Sequence, residues 1–184
     1  MKELSLNILD IAMNSVRADA KNVGVEIDET DRSLTFTVRD DGKGMDAEFL
    51  KRASDPFCTT RTTRNVGMGL PLLKLAAQQT GGDTEIKSIS EDDDRVNHGT
   101  VIKAFFYKNT VDFTPLGDIV STIVTLIQGS PDIHWTFKHK KCGGDVSLDT
   151  NALKNVLGDV PLDTPDVLVW IKEYLTEQYD SLPG

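Results

Sequence analysis

Three positions near the N-terminus could share one ligand. Asp10, Asn14 and Arg17 recur at helical spacing, which puts an acid, an amide and a cation along one helix face. That set suits a phosphate–metal group: a carboxylate to orient water, an amide oxygen for Mg²⁺ and a guanidinium for phosphate. The same spacing also suits a solvated face with modest charge pairing. A second set is Asp40-Asp41-Gly42-Lys43-Gly44-Met45. An acid at a strand end, followed by two glycines one residue apart, lets main chain turn tightly beside a bound group. Asp-Gly pairs also make plain turns. A third stretch, residues 55–65, is rich in Thr and Arg and has no apolar period. It reads either as an exposed loop or as a lid that brings hydroxyls and cations, Arg61 among them, onto a phosphate tail. A fourth, Val66-Gly67-Met68-Gly69-Leu70, leads into a helix. Free amides and the helix dipole make such a start an anion site, and Pro71 suits a first turn that needs no amide donor.

These residues need elements to position them. Residues 4–20 read as a helix with an apolar stripe of Leu6, Leu9, Met13, Val16 and Ala20. Val23, Val25 and Ile27 alternate with polar residues, as do Leu34, Phe36 and Val38, and Thr30-Asp31-Arg32 joins the two strands. Asp40 keeps the parity of Leu34, Phe36 and Val38, so it is predicted to face the covered side. A carboxylate there costs several kcal/mol unless partnered. That makes it a candidate ligand contact, or else a helix cap or a partner of the turn amides. A short helix over 46–54, capped by Asp46, precedes the Thr/Arg stretch, and the helix after the second glycine pair runs to about Thr80. Strands follow at 84–89 and 100–107, separated by the acidic run Glu91-Asp92-Asp93-Asp94. The second is apolar on both sides near its end, which predicts cover on both faces.

Composition excludes several classes. The chain has 184 residues and a net charge of −9, so nothing favours general nucleic-acid binding. No run of about twenty apolar residues predicts a membrane span, and the N-terminus shows no signal-peptide pattern. Cys58 and Cys142 form no metal motif and read as reduced thiols of a cytoplasmic protein. His98, His134 and His139 are scattered.

Taken together over residues 4–107, these motifs resemble the GHKL superfamily of ATP-binding proteins, which includes the catalytic domains of sensor histidine kinases. The Asp10–Asn14–Arg17 face is similar to the first motif of that group, and Asp40-x-Gly42-x-Gly44 to the second. Residues 56–61 with Gly67-Met68-Gly69-Leu70 resemble the lid and third motif. Gly81-Gly82 and His98-Gly99-Thr100 resemble the closing part. The resemblance implies an α+β fold: a two-layer α/β sandwich on a mixed, mainly antiparallel sheet. It implies ATP and Mg²⁺ as cofactors. Asp40 would hydrogen-bond the adenine amino group with help from Thr100. Asn14 would ligate Mg²⁺, Arg17 would lie near phosphate, Gly67 and Gly69 would offer amides, and Arg61 would meet the γ-phosphate. The motif residues Gly42, Gly44, Met45, Met68 and Leu70 complete the implied nucleotide contacts.

The chain departs from that pattern in places. Asp10, in the catalytic position, stands where Glu is common and is one methylene shorter. A positioned general base is worth roughly 10²–10⁴-fold, so slow hydrolysis is expected. Pro71 replaces an expected glycine. No phosphoacceptor hairpin precedes the first motif, so a phosphoacceptor is expected on another chain. Outside the resemblance, residues 109–184 read as a helix from Pro115, two strands and two helices, set apart from an ATP-binding domain at 1–108. This part is expected either to pack as an independent unit or to dock a protein. The expected function is a Mg²⁺-dependent ATP-binding regulatory protein, a kinase acting in trans or a slow ATPase. The alternative is a nucleotide sensor bound to a partner enzyme, such as a hydrogenase or other redox enzyme. A protein partner and a homodimer are both among the expectations.

Overall fold

Alternating side chains from residue 23 to residue 40 fold into an antiparallel pair, β1 (Asn22–Glu29) and β2 (Ser33–Asp40), in the computed structural model of the protein. The structure describes residues 3–53 and 69–183. The other elements are α1 (Leu4–Arg17), α2 (Ala47–Ala53), α3 (Gly69–Gln79), β3 (Asp83–Ile89), β4 (Gly99–Tyr107), α4 (Ile119–Gly129), β5 (His134–Lys141), β6 (Gly144–Asp149), α5 (Thr150–Leu157) and α6 (Pro165–Asp180). The six strands form one sheet in the order β3-β4-β2-β1-β5-β6. All neighbours are antiparallel except β1 and β5. A parallel neighbour needs a crossover, and α4 supplies it. The sheet therefore runs across the 108/109 boundary: β5 pairs with β1 from Asn22↔His134 to Asp28↔Lys140.

One sheet face is buried. Val23, Val25, Ile27, Leu34, Phe36, Val38, Ile102, Ala104, Phe106, Trp135, Phe137, Val146 and Leu148 all point into the helical layer. There α1 lies on β1 and β2, α3 on β3 and β4, and α4 packs against α1 and α6. The architecture is the expected α+β two-layer arrangement on a mixed sheet.

Three expectations from the sequence need correction. The buried stripe of α1 is Leu4, Ile8, Ile11, Ala12 and Ser15, while Leu6 is 47% exposed. Leu9, Met13 and Val16 pack only at the core margin. Several phases of an apolar-rich helix look alike in sequence, and the sheet chose the one led by Ile8 and Ile11. The outer face of β4 is open: Tyr107 is exposed and makes an edge contact with Phe105, ring centroids 4.9 Å apart. Finally, α4 starts at Ile119 rather than Pro115. Gly117 turns the chain at φ +76, and Asp118 caps the helix by accepting the Ser121 amide at 2.9 Å. The segment before it is used elsewhere. The carbonyls of Pro115 and Leu116 accept the amides of Leu4 and Ser5 at 2.9 and 2.8 Å, pairing two groups that a helix start leaves free.

Candidate functional site

Asp40 ends β2 on the covered face, where period-two alternation must carry it. Ser15, Gly42 and the backbone of Thr100 hold its carboxylate. The Ser15 hydroxyl donates to Oδ2 at 2.6 Å, and the Gly42 amide donates to Oδ1 at 3.0 Å. Burial raises the Asp40 carboxyl above its ordinary range, with these hydrogen bonds opposing the shift. The neighbouring Asp41 has a different task. Burial also works against its charge, but the Asn22 side chain and the Asn22 and Lys21 amides hold it below the ordinary range. Asp41 thereby ties the loop to the start of β1.

The loop from Asp41 to Met45 is threaded between α1 and the ends of β3 and β4. Lys43 donates its amide to the Ala18 carbonyl at 2.9 Å and accepts the Glu91 amide at 2.8 Å. The His98 ring bonds the Gly42 carbonyl through Nδ1 at 2.6 Å. Gly44 sits at φ +67, where a Cβ would stand 1.9 Å from the Ile89 carbonyl oxygen. We expect Gly44→Ala to destabilise the protein by at least about 2 kcal/mol, through left-handed strain plus backbone displacement. Urea unfolding checks this, and an unchanged midpoint would mean the loop packs differently.

Around Asp40 lies a cavity of about 450 Å³ lined by Ile11, Asn14, Ser15, Arg17, Ala18, Asp40, Gly44, Met45, Phe49, Ala53, Leu70, Thr100 and Ile102. Its walls are mostly apolar, with a few convergent polar groups, the usual make-up of a small-molecule site. Thr100 belongs to a fixed hydroxyl cluster. Ser88 Oγ lies 2.8 Å from Thr100 Oγ1, donates to the Gly99 carbonyl at 3.0 Å and accepts the Met45 amide at 2.8 Å. At another part of the wall Arg17 donates to Asn14 Oδ1 at 3.0 Å.

The structure thus gathers Asn14, Arg17, Asp40, Gly44, Met45, Leu70 and Thr100 around one cavity. Gly42 is buried behind it, against Ala18. Asp10 is exposed and is not among the lining residues; Gly69 opens α3 close beside it. Arg61, Gly67 and Met68 lie outside the described residues, as do Cys58 and the proposed lid. Two contributors escaped the sequence reading. Ser15 follows Asn14 directly and would have been found with the Ile8–Ile11–Ser15 phase. Ser88 is a lone strand serine with no motif to mark it.

Residues 1–110 match the family described as histidine kinase-, DNA gyrase B-, and HSP90-like ATPase. Sporulation kinase A of Bacillus subtilis is 33% identical over 108 residues, which is 59% of this chain and 16% of that protein. The tetrathionate sensor histidine kinase TtrS of Salmonella typhimurium is 26% identical over 99 residues, 54% of this chain and 16% of that protein. The chain therefore spans only a small part of the length of these curated relatives. Among solved structures, the Aquifex aeolicus MutL ATPase domain complexed with ADP aligns with 85% of this chain and 68% of its own, at TM-score 0.51 and 15% identity, a likeness of fold. No helix among the described residues is long and apolar enough to cross a membrane. With residues 1–110 of its 184 matched, the chain belongs to the histidine kinase-, DNA gyrase B- and HSP90-like ATPase family.

Proposed function

We propose that the cavity binds ATP and ADP with Mg²⁺, and that the protein is an ATP-binding regulator acting on a protein partner. The observation that carries this reading is the partly desolvated Asp40 carboxylate at the wall of an apolar slot, held by Ser15 and Gly42. The carboxylate, with about four acceptor sites, keeps capacity for a further donor, as an exocyclic amino group requires. Met45, Phe49, Leu70, Ile11 and Ile102 supply apolar walls for a flat base. Thr100, oriented by Ser88, offers a hydroxyl beside the same carboxylate. Asn14 and Arg17 supply an amide oxygen and a cation for a phosphate tail. Mg²⁺ fits this donor set, since it commonly keeps several waters and takes other ligands from substrate phosphates. When bound, it would neutralise phosphate charge. We expect Asn14→Ala to weaken ATP binding about 100-fold with Mg²⁺ present and by much less in a chelator. Equal affinities for wild type and variant by calorimetry would overturn the assignment.

Two uses of the nucleotide remain distinct. As an enzyme, the protein would transfer phosphate to an acceptor on another chain, or hydrolyse ATP slowly, with Asp10 handling the proton. As a sensor, nucleotide occupancy alone would change how residues 109–184 meet a partner. The exposed position of Asp10, outside the cavity lining, favours the sensor. Labelled ATP separates the two. Turnover by wild type that falls about 10²-fold or more in Asp10→Asn supports the enzyme, and tight binding with no turnover in the presence of partner supports the sensor.

A further inference from the structure

The two edges of the sheet are treated differently. At β6 the edge is closed from within: Gln178 of α6 accepts the Ser147 amide at 2.9 Å and donates to the Ser147 carbonyl at 3.0 Å. At β3 no backbone partner lies along the outer edge among the described residues. The Thr84 amide turns to the Asp83 carboxylate at 2.8 Å, which by strand alternation leaves the outward amides and carbonyls on Thr84, Ile86 and Ser88. Open edges of this length invite another strand, and proteins commonly blunt them.

The side chains of β3 read as a pattern centred on Ile86. Glu85 and Lys87 flank it and meet in an exposed in-chain ion pair at 2.8 Å. Thr84 and Ser88 flank those. We infer that β3 is the interface of a homodimer in which two copies pair antiparallel through a two-fold axis at Ile86. A two-fold interface must be complementary to itself, and this strand is. Ile86 meets Ile86, Thr84 meets Ser88, and Glu85 of each copy stands opposite Lys87 of the other, the arrangement that stabilises antiparallel pairs. Asp83 opposite Ile89 at the ends adds nothing.

The helical layer suits the same axis. α3 rests on both β3 and β4, and a helix seated midway between two strands lies about half a strand spacing inside the outer one. With strands about 4.8 Å apart, continuing the sheet puts the two α3 helices about 10 Å apart. That is close to ordinary helix-packing distance. On α3 the buried side chains are Leu73 and Ala77, which leaves Leu72, 44% exposed, on a flank of the helix. The resulting assembly is a single twelve-stranded sheet (six from each copy) with its helices on one face. Neither the interface nor its test depends on nucleotide binding.

Charge exchange tests it on the full chain by sedimentation. Wild type should be dimeric at micromolar concentrations. Glu85→Lys and Lys87→Glu should each dissociate about tenfold more readily, because like charges then face across the axis twice. An equimolar mixture of the two variants should form mixed dimers, and Glu85→Lys/Lys87→Glu in one chain should recover wild-type affinity. These side chains are exposed, so circular dichroism should show an unchanged fold. A wild type that stays monomeric, single variants that dimerise like wild type, or a mixture that fails to recover would each overturn the proposal.

Discussion

Asp40→Ala should lose ATP and ADP binding by about 100-fold or more while the protein stays folded. The estimate follows from hydrogen bonds to a charged group, worth about 1.5–3 kcal/mol each, with 1.4 kcal/mol per tenfold. The variant also strips Ser15 of its 2.6 Å acceptor and the Gly42 amide of its 3.0 Å one. Some of that stability loss is offset, because the carboxylate is itself costly to bury. Nucleotide titration followed by fluorescence or calorimetry measures the effect, with circular dichroism as the folding control. Wild-type affinity in a folded variant would place the base elsewhere. The pH dependence has a definite sign. Burial raises the Asp40 carboxyl, so it takes a proton at a pH where an ordinary aspartate is still charged. Binding that needs the carboxylate as acceptor should therefore weaken on acidification before exposed carboxylates titrate. In the absence of nucleotide, the stability linked to Asp40 is present at low pH and is lost as pH rises through its folded value.

Glu29→Ala should remove about 3 kcal/mol of stability, because it breaks the network that ties α6 to β1. Glu29 Oε2 accepts from His139 Nε2 at 3.0 Å, and Oε1 accepts from Lys108 at 2.7 Å. His139, only 1% exposed, meets the Tyr179 hydroxyl through Nδ1 at 2.7 Å. Chiefly through the His139 hydrogen bond, against burial and with help from Lys108, Glu29 falls to about 2. Burial, then the Glu29 charge, pushes the Tyr179 hydroxyl well above its usual range. A depressed carboxylate stabilises above its unfolded value and loses that stabilisation as pH falls through the folded one. The relevant window runs from the ordinary glutamate range near 4.5 down to about 2. The wild-type advantage over Glu29→Ala should thus shrink by about 2 kcal/mol between neutral pH and pH ~3. Urea midpoints of both proteins at the two pH values measure this. A gap that stays constant would show that the carboxylate is not held by its partners.

Local patterns made much of the polypeptide legible. Alternation along 34–40 carried Asp40 to the covered side before any partner for it was known, because the strand period is two and admits no other choice. Helical spacing joined Asn14 to Arg17, and the structure brings both to one cavity wall. Asp10 shared that spacing and that face yet lies outside the lining, because it sits a turn nearer the helix N-terminus than Asn14, and the part of α1 that lines the cavity begins at Ile11. A misjudged phase of the apolar stripe hid Ser15 and offered Leu6 as core. On β4, two apolar faces suggested cover on both sides, but the helices occupy only one.

By itself, then, the sequence determined most elements, the parity of β1 and β2 and the family motifs, all of which depend on neighbours a few residues apart. The tertiary structure decided what depends on distant ones. It placed β5 beside β1 in parallel register, so that His139 reaches Glu29 across more than a hundred residues. It brought Ser88 to Thr100 and Ser15 to Asp40. It closed the β6 edge with Gln178 and left the outer edge of β3 without a backbone partner among the described residues. Periodicity is a property of one segment. Sheet order and register are chosen by the whole chain, through the single arrangement that buries the apolar faces and pairs the polar groups together.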